Sequence, residues 1–284
     1  METNEFLGML AKGAEISESS GQKPVEATIV SVGDLVRIIE CKHTGSFQYR
    51  GQKCSYQKLL PTLTRPVSPF KTGLAPHETL RYKEQHILKE FRTRFVAYGR
   101  EAPADEIHLA ILARHHGVPT RLLDWTLNPL AALYFAVEDS DLWQDKKCLL
   151  CGNEDCTPVV WAVKGERHRM SDFRVHSLGR LGKRPHFIIP DHDESRAAVQ
   201  ASIISLWGDP KQAFEDLPYL EKIWKIRILR DKSRHLLWVL HCLGITAETL
   251  FPDLDGLGRY LAWKHRRIHE TDYLQCGQPQ ARDT

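Results

Sequence analysis

The sequence predicts an α+β fold, with helices in the first half packed on a mainly antiparallel sheet. Three observations carry this. Helical apolar spacing dominates the first half, β-branched and aromatic runs dominate the second, and no regular strand–helix alternation links them.

The elements follow in chain order. Residues 1–30 lack a clear period, and SESSGQKPVEA reads as a flexible N-terminal segment. At SVGDLVRIIE, Ser31 is placed to cap a helix with Asp34 in its first turn. Val32, Leu35, Val36 and Ile39 form its expected buried stripe. FQYRG, ending at Gly51, alternates like a short strand, and KLLPTLTRPVSPF is a Pro-punctuated loop.

From Glu78 to about Tyr98, Leu80, Ile87, Leu88, Phe91 and Phe95 recur at helical spacing on a charged segment, which predicts a long surface helix. ADEIHLAILARHHG predicts a second helix, with Pro103 near its start and Gly117 as its stop. Pro119 enforces extended geometry on Val118, so TRLLDW reads as a strand. Asn128 then caps a helix with Pro129 in first position.

PVVWAVK, HFIIP, ASIISLW and KIWKIRIL all read as strands. DESRAAVQ reads as a helical turn or as an extension of the strand after it. Three helical stretches close the chain: SRHLLWVLHCLG, TAETLF and LGRYLAWKHRRIHE. The domain organisation expected is a single domain over 31–271, a Cys-bearing insertion at about 140–157, and a flexible tail at 272–284.

Composition narrows the function classes. The chain has 284 residues, 42% hydrophobic and 26% charged, ordinary for a globular protein. A net charge of +3 is too mild to argue for nucleic acid by itself. No apolar run reaches the roughly 20 residues of a membrane helix. The first residues make a poor secretory signal, so a cytoplasmic location without membrane attachment is expected, with the seven cysteines reduced. Dinucleotide, P-loop, zinc-protease and nucleophile-elbow fingerprints are all missing from the sequence.

What remains are polar clusters. Cys148, Cys151 and Cys156 begin with the CysXXCys spacing of a zinc knuckle. The second half of that motif is one Cys, and nothing singles out His168 or His192 to complete it. The segment therefore reads as a thiol-bearing loop before it reads as a structural zinc site. His115 and His116 close a helix, and adjacent side chains on a helix diverge too far to share a metal. Arg50 ends a strand beside Gly51, whose missing Cβ would let a ligand approach, and a guanidinium fork suits phosphate or carboxylate. Asp253 and Asp255 are candidates to cap the last helix or to face a site.

YRGQ at 49–52, HHGVPTRLLDWTLNPLAALYFAV at 115–137, ArgXXXGln at Arg196–Gln200 and LFPDLDGL at Leu250–Leu257 together resemble the FRG domain family. Tyr49 stands where that family usually has Phe, and the resemblance spans about residues 30–262. The order of motifs also looks distantly like that of ADP-ribosyltransferases. That similarity implies an ADP-ribosyltransferase-like fold and NAD as substrate.

Carried over by position, Arg50 would hold NAD, Thr126 would support the nicotinamide ribose, and Gln200 would meet the ribose 2′-hydroxyl. Breaking the nicotinamide–ribose bond builds positive charge on the sugar, which calls for a clamp and an anion. Arg50 and Arg121 could clamp the diphosphate, Tyr49 or Trp125 could stack on nicotinamide, and Asp124, Asp253 or Asp255 could supply the anion. Gly51, Gln52 and His116 complete the expected cofactor-binding set.

Two functions stay open. One is an NAD-using ADP-ribosyltransferase or NAD glycohydrolase, in a toxin or antiviral defence setting. The other is a non-catalytic module binding a nucleotide, nucleic acid or protein. Basic faces for the second would come from Trp224, Lys225, Arg227 and Arg230, and from Lys264, Arg266 and Arg267.

Overall fold

The structure is a computed structural model that describes residues 16–17, 24–40, 47–65, 80–98, 101–139, 147–173, 177–190, 201–217, 220 and 222–266. Its strands are β1 (Ile16–Ser17), β2 (Val25–Ile29), β3 (Phe47–Gln52), β4 (Leu123–Thr126), β5 (Val159–Lys164), β6 (Arg167–Arg169), β7 (His186–Ile189), β8 (Ser202–Leu206) and β9 (Lys222–Ile228). The helices are α1 (Val32–Glu40), α2 (Leu80–Phe95), α3 (Glu106–His115), α4 (Pro129–Val137), α5 (Arg230–Cys242), α6 (Ala247–Leu250) and α7 (Leu254–Arg266). The strands form one sheet in the order β1-β2-β9-β5-β3-β4-β8-β7-β6. Among the described residues, only the β2–β9 and β6–β7 pairs run parallel. The α+β class holds, but α5, α6 and α7 lie in the second half, and β1 to β4 in the first.

Alternation along the strands sorts side chains to two faces. On β5, Val160 and Ala162 join a core with α1, α4 and α5, while Val159, Trp161 and Val163 join Trp125, Phe187, Phe214 and Trp207 opposite. Ile188, Ile204 and Leu206 pack with Leu88 of α2 and Ile107 and Ile111 of α3 in a third cluster.

Local signals explain the helices near the cleft. Asn128 Oδ1 accepts from the amides of Leu130 and Ala131, with Pro129 in first position, so α4 starts where its sequence directs. Asp105 caps α3 in the same manner. In α1, Ser31 Oγ accepts from the Asp34 amide while Asp34 Oδ2 accepts from the Ser31 amide.

Two expectations need correction here. Val36 is exposed and Ile38 takes the inward place in α1, because Ile38 lies three residues after the fully buried Leu35 and shares its face, whereas Val36 is turned about 100° away from Leu35. Within residues 1–30, Val25–Ile29 is a strand hydrogen-bonded to β9, with Ala27 and Ile29 buried. Ala and Glu in VEATI weaken its strand signature, and partner pairing overrides propensity. Among the described residues, no helix is long and apolar enough to cross a membrane.

Candidate functional site

β3 and β4 share one register pair, Tyr49 with Thr126, and beyond it the strands part. Arg50, Gly51 and Gln52 continue along β5 on one side of the gap, while Leu123 to Trp125 continue along β8 on the other. A cleft of about 460 Å³ opens at this point, bounded by Arg50, Gln52, Lys53, Arg65, Asp124, Phe135, Ser202 and Phe251 among others.

Arg50 reaches across the gap, its Nη1 donating to the main-chain carbonyl of Asp124 at 2.6 Å. The Asp124 carboxylate accepts from Arg114 Nε at 3.1 Å and Nη2 at 2.6 Å, and Arg114 Nη1 donates to Thr62 Oγ1 at 2.7 Å. Arg65 sits beside this pair and donates to the Leu60 carbonyl at 3.0 Å. Three guanidinium groups therefore surround one carboxylate.

The electrostatics follow from that imbalance. Burial pushes Arg50 down to about 10; Asp124 opposes the shift, and Arg65 and Arg114 add to it. Burial also lowers Arg65, again with help from Arg114. For Arg114, burial works against the charge, but Asp124 outweighs it and holds the guanidinium above its ordinary value. Burial alone would raise Asp124, yet Arg114 and Arg50 hold it below the usual carboxylate range. The other basic groups at the rim are matched: Lys53 pairs with Glu138 at 2.9 Å and with Asp139, and Lys58 with Asp216 at 2.6 Å. The cluster around Asp124 keeps a surplus of positive charge in a partly desolvated place, which favours an anion.

The expected site residues divide. Arg50, Asp124, Gln52 and Gly51 border the cleft. Gly51 does so for a different reason than a close ligand: a Cβ there would lie 2.0 Å from the Ala132 carbonyl oxygen and 2.6 Å from the Ala136 nitrogen. The missing side chain lets α4 seat directly on β3. Gln52 accepts from Trp161 Nε1 at 2.8 Å and donates to the Gln57 carbonyl at 2.7 Å, which fixes the turn after the strand.

Tyr49, Trp125 and Thr126 edge the cleft but are nearly buried. Tyr49 packs under α4, and burial raises its phenol. Trp125 donates to Ser205 Oγ at 2.8 Å and sits in the aromatic core, so it supports the strand rather than stacking on a ligand. Thr126 Oγ1 accepts from the Asn128 amide at 3.0 Å, which ties it to the turn into α4.

Arg121 and His116 lie elsewhere. Arg121 donates to Glu84 Oε2 at 2.7 Å and to the Leu178 and Gly208 carbonyls, with its side chain 5% exposed. It alternates away from the cleft and joins α2 to the sheet. His116 is exposed at the end of α3 beside Phe91, on a separate hollow. Gln200, Arg196 and His192 lie outside the described residues, although β8 begins at Ser202, which does border the cleft.

Asp253 Oδ1 accepts from the Gly256 amide at 2.8 Å and caps α7, while Asp255 is exposed, and neither borders the cleft. On β9, Trp224 is buried, while Lys225, lying over Trp161, and Arg227, paired with Glu26, are partly exposed. Lys264 belongs to α7, and Arg267 lies outside the described residues.

Sequence reasoning missed Arg65 and Arg114. Arg114 had a usable signal, since it lies in the last turn of the helix that precedes the strand bearing Asp124. It also missed Cys54, two residues beyond YRGQ. The Sγ atoms of Cys54, Cys148, Cys151 and Cys156 all lie within 4.8 Å of one another, the one such cluster among the described residues.

Fold and cleft define an α+β protein whose sheet parts around an arginine-lined cavity. Residues 45–144, the stretch that holds β3, α2, α3, β4 and α4, match the family model described as FRG domain. No curated protein and no solved structure matches the chain.

Proposed function

We propose that the cleft between β3 and β4 binds NAD by its diphosphate and that the chain cleaves the nicotinamide–ribose bond, as an ADP-ribosyltransferase or NAD glycohydrolase. The observation that carries this reading is the guanidinium cluster of Arg50, Arg65 and Arg114 around the single carboxylate of Asp124. Arginine forks bind diphosphate oxygens with charge-assisted hydrogen bonds, and a half-desolvated cluster gains most from an anion.

Sheet order supports the same assignment. β3 carries Arg50, β4 carries Thr126, and β8 follows Gln200; these three strands are neighbours. In the reaction, the C1′–N bond breaks and its electron pair leaves with nicotinamide, which departs neutral. The nucleophile, water or an acceptor side chain, bonds to C1′ and releases its proton to solvent. Asp124 offers negative charge to the developing ribosyl cation. A toxin or defence effector is the setting this chemistry suits.

The second reading, a module that binds a nucleotide without cleaving it, is favoured by the pairing of Asp124 with Arg114, which occupies the carboxylate. One experiment separates them: NAD incubated with wild type and with Arg50→Ala, followed by mass spectrometry for free nicotinamide. Release by the wild type alone supports cleavage. Binding of NAD without release supports the module, and neither binding nor release removes NAD from consideration.

A further inference from the structure

We propose that Cys54, Cys148, Cys151 and Cys156 form a tetrathiolate zinc site that clips the segment before β5 to the turn after β3. The inference goes beyond NAD chemistry and stands without it.

Geometry comes first. A tetrahedral zinc with Zn–S bonds of about 2.3 Å holds its sulfurs about 3.8 Å apart. The four Sγ atoms lie within 4.8 Å of one another, and those of Cys54 and Cys156 are 3.4 Å apart, well beyond a disulfide bond. Cys54, Cys148 and Cys156 are at most 1% exposed, and Cys151 is partly exposed.

The backbone is shaped for thiolates. Cys148 and Cys151 sit on one tight turn in which the Gly152 amide donates to the Cys148 carbonyl at 2.7 Å, with Gly152 at φ +76°. Backbone N–H groups of Tyr56, Asn153 and Ser55 point at the sulfurs of Cys54, Cys151 and Cys156. Amides two residues after Cys54 and Cys151 repeat the same local loop. Such donors orient metal-bound sulfur and spread its charge.

Packing and charge agree. These four residues form a buried cluster of their own, with no other apolar side chain in it. Four thiols alone are a poor core for a segment without regular structure, and a structural metal supplies the missing constraint. A zinc with four thiolates carries a net charge of −2. Arg230 lies against the same segment, donating to the carbonyls of Glu154 at 2.8 Å and Cys156 at 3.3 Å. The site also holds Leu150, between the paired cysteines, at the rim of the cleft.

The test is metal analysis of the full chain purified under reducing conditions, then cobalt(II) substitution after chelation. The expected result is one zinc per chain, and a cobalt form with the absorption envelope of a tetrahedral tetrathiolate. Cys148→Ser/Cys151→Ser should lose the metal, while Cys242→Ser, at an exposed cysteine outside the cluster, should keep it. Because the double variant can misfold, the cobalt spectrum of the unaltered chain decides the case alone. Metal-free protein that takes up no cobalt overturns the proposal, and so does a Cys54–Cys156 disulfide in freshly reduced preparations.

Discussion

Arg50 Nη1 lies 2.6 Å from the main-chain oxygen of Asp124, spanning the gap where two neighbouring strands of the sheet stop pairing. The guanidinium takes the place of a ladder hydrogen bond that the parted strands cannot make. One residue thus bridges the cleft and keeps the rest of its fork for a ligand.

Replacing Arg50 tests that arrangement. Arg50→Ala should weaken binding of ADP-ribose or NAD by about 1.5–3 kcal/mol, the range for a hydrogen bond to a charged group. The thermal midpoint should move less than the affinity, since the side chain lines the cleft and belongs to none of the apolar core clusters. Calorimetric titration beside thermal denaturation separates the two effects. Global unfolding of the variant would mean that Arg50 serves the fold.

Arg121 should behave in the opposite way. Its ion pair with Glu84 is 5% and 2% exposed, and removing one partner strands a buried charge. Glu84→Ala is expected to cost about 3–5 kcal/mol in urea unfolding. Ligand affinity of the surviving folded fraction should be unchanged.

Gly51→Ala is expected to cost about 3 kcal/mol, at the upper end for overpacking. The added methyl would meet the rigid backbone of α4 at Ala132, not a movable side-chain tip. Unchanged stability in denaturant titration would show that α4 seats on β3 less closely than described.

Acid should reveal the Asp124 contribution. Arg114 and Arg50 hold its folded pKa below the ordinary carboxylate value. The stabilisation is therefore fully present above the unfolded value and lost as pH falls through the lower folded value. Wild type should exceed Asp124→Asn in thermal midpoint at neutral pH, with the gap closing on acidification. A gap independent of pH would sink the assignment.

Much of the fold was legible because local signals were strong. Asn128-Pro129 announced α4, and the β-branched runs announced β5, β7, β8 and β9. The cleft was legible only in part. Arg50 and Asp124 stood out in YRGQ and LLDW, but sequence could not reveal that Arg121 turns inward while Arg114, ten residues before Asp124, turns to the carboxylate. Those directions depend on strand alternation and on where α3 packs. The cysteine cluster failed for a similar reason: its fourth member is separated from the others by the whole of α2, α3 and α4. VEATI gave no signal because its identity as β2 depends on β9.

That last pairing has a consequence for synthesis on the ribosome. Val25 pairs with Trp224 and Ile29 with Ile228, so β2 has no neighbour on that side until β9 has emerged. β5 waits for the same strand, since its other edge pairs only with β3. A nascent chain halted before residue 222 therefore exposes two hydrophobic strand edges at once, the kind that recruit other chains. The late arrival of one strand seals both, which makes β9 the step that ends the chain's exposure to aggregation.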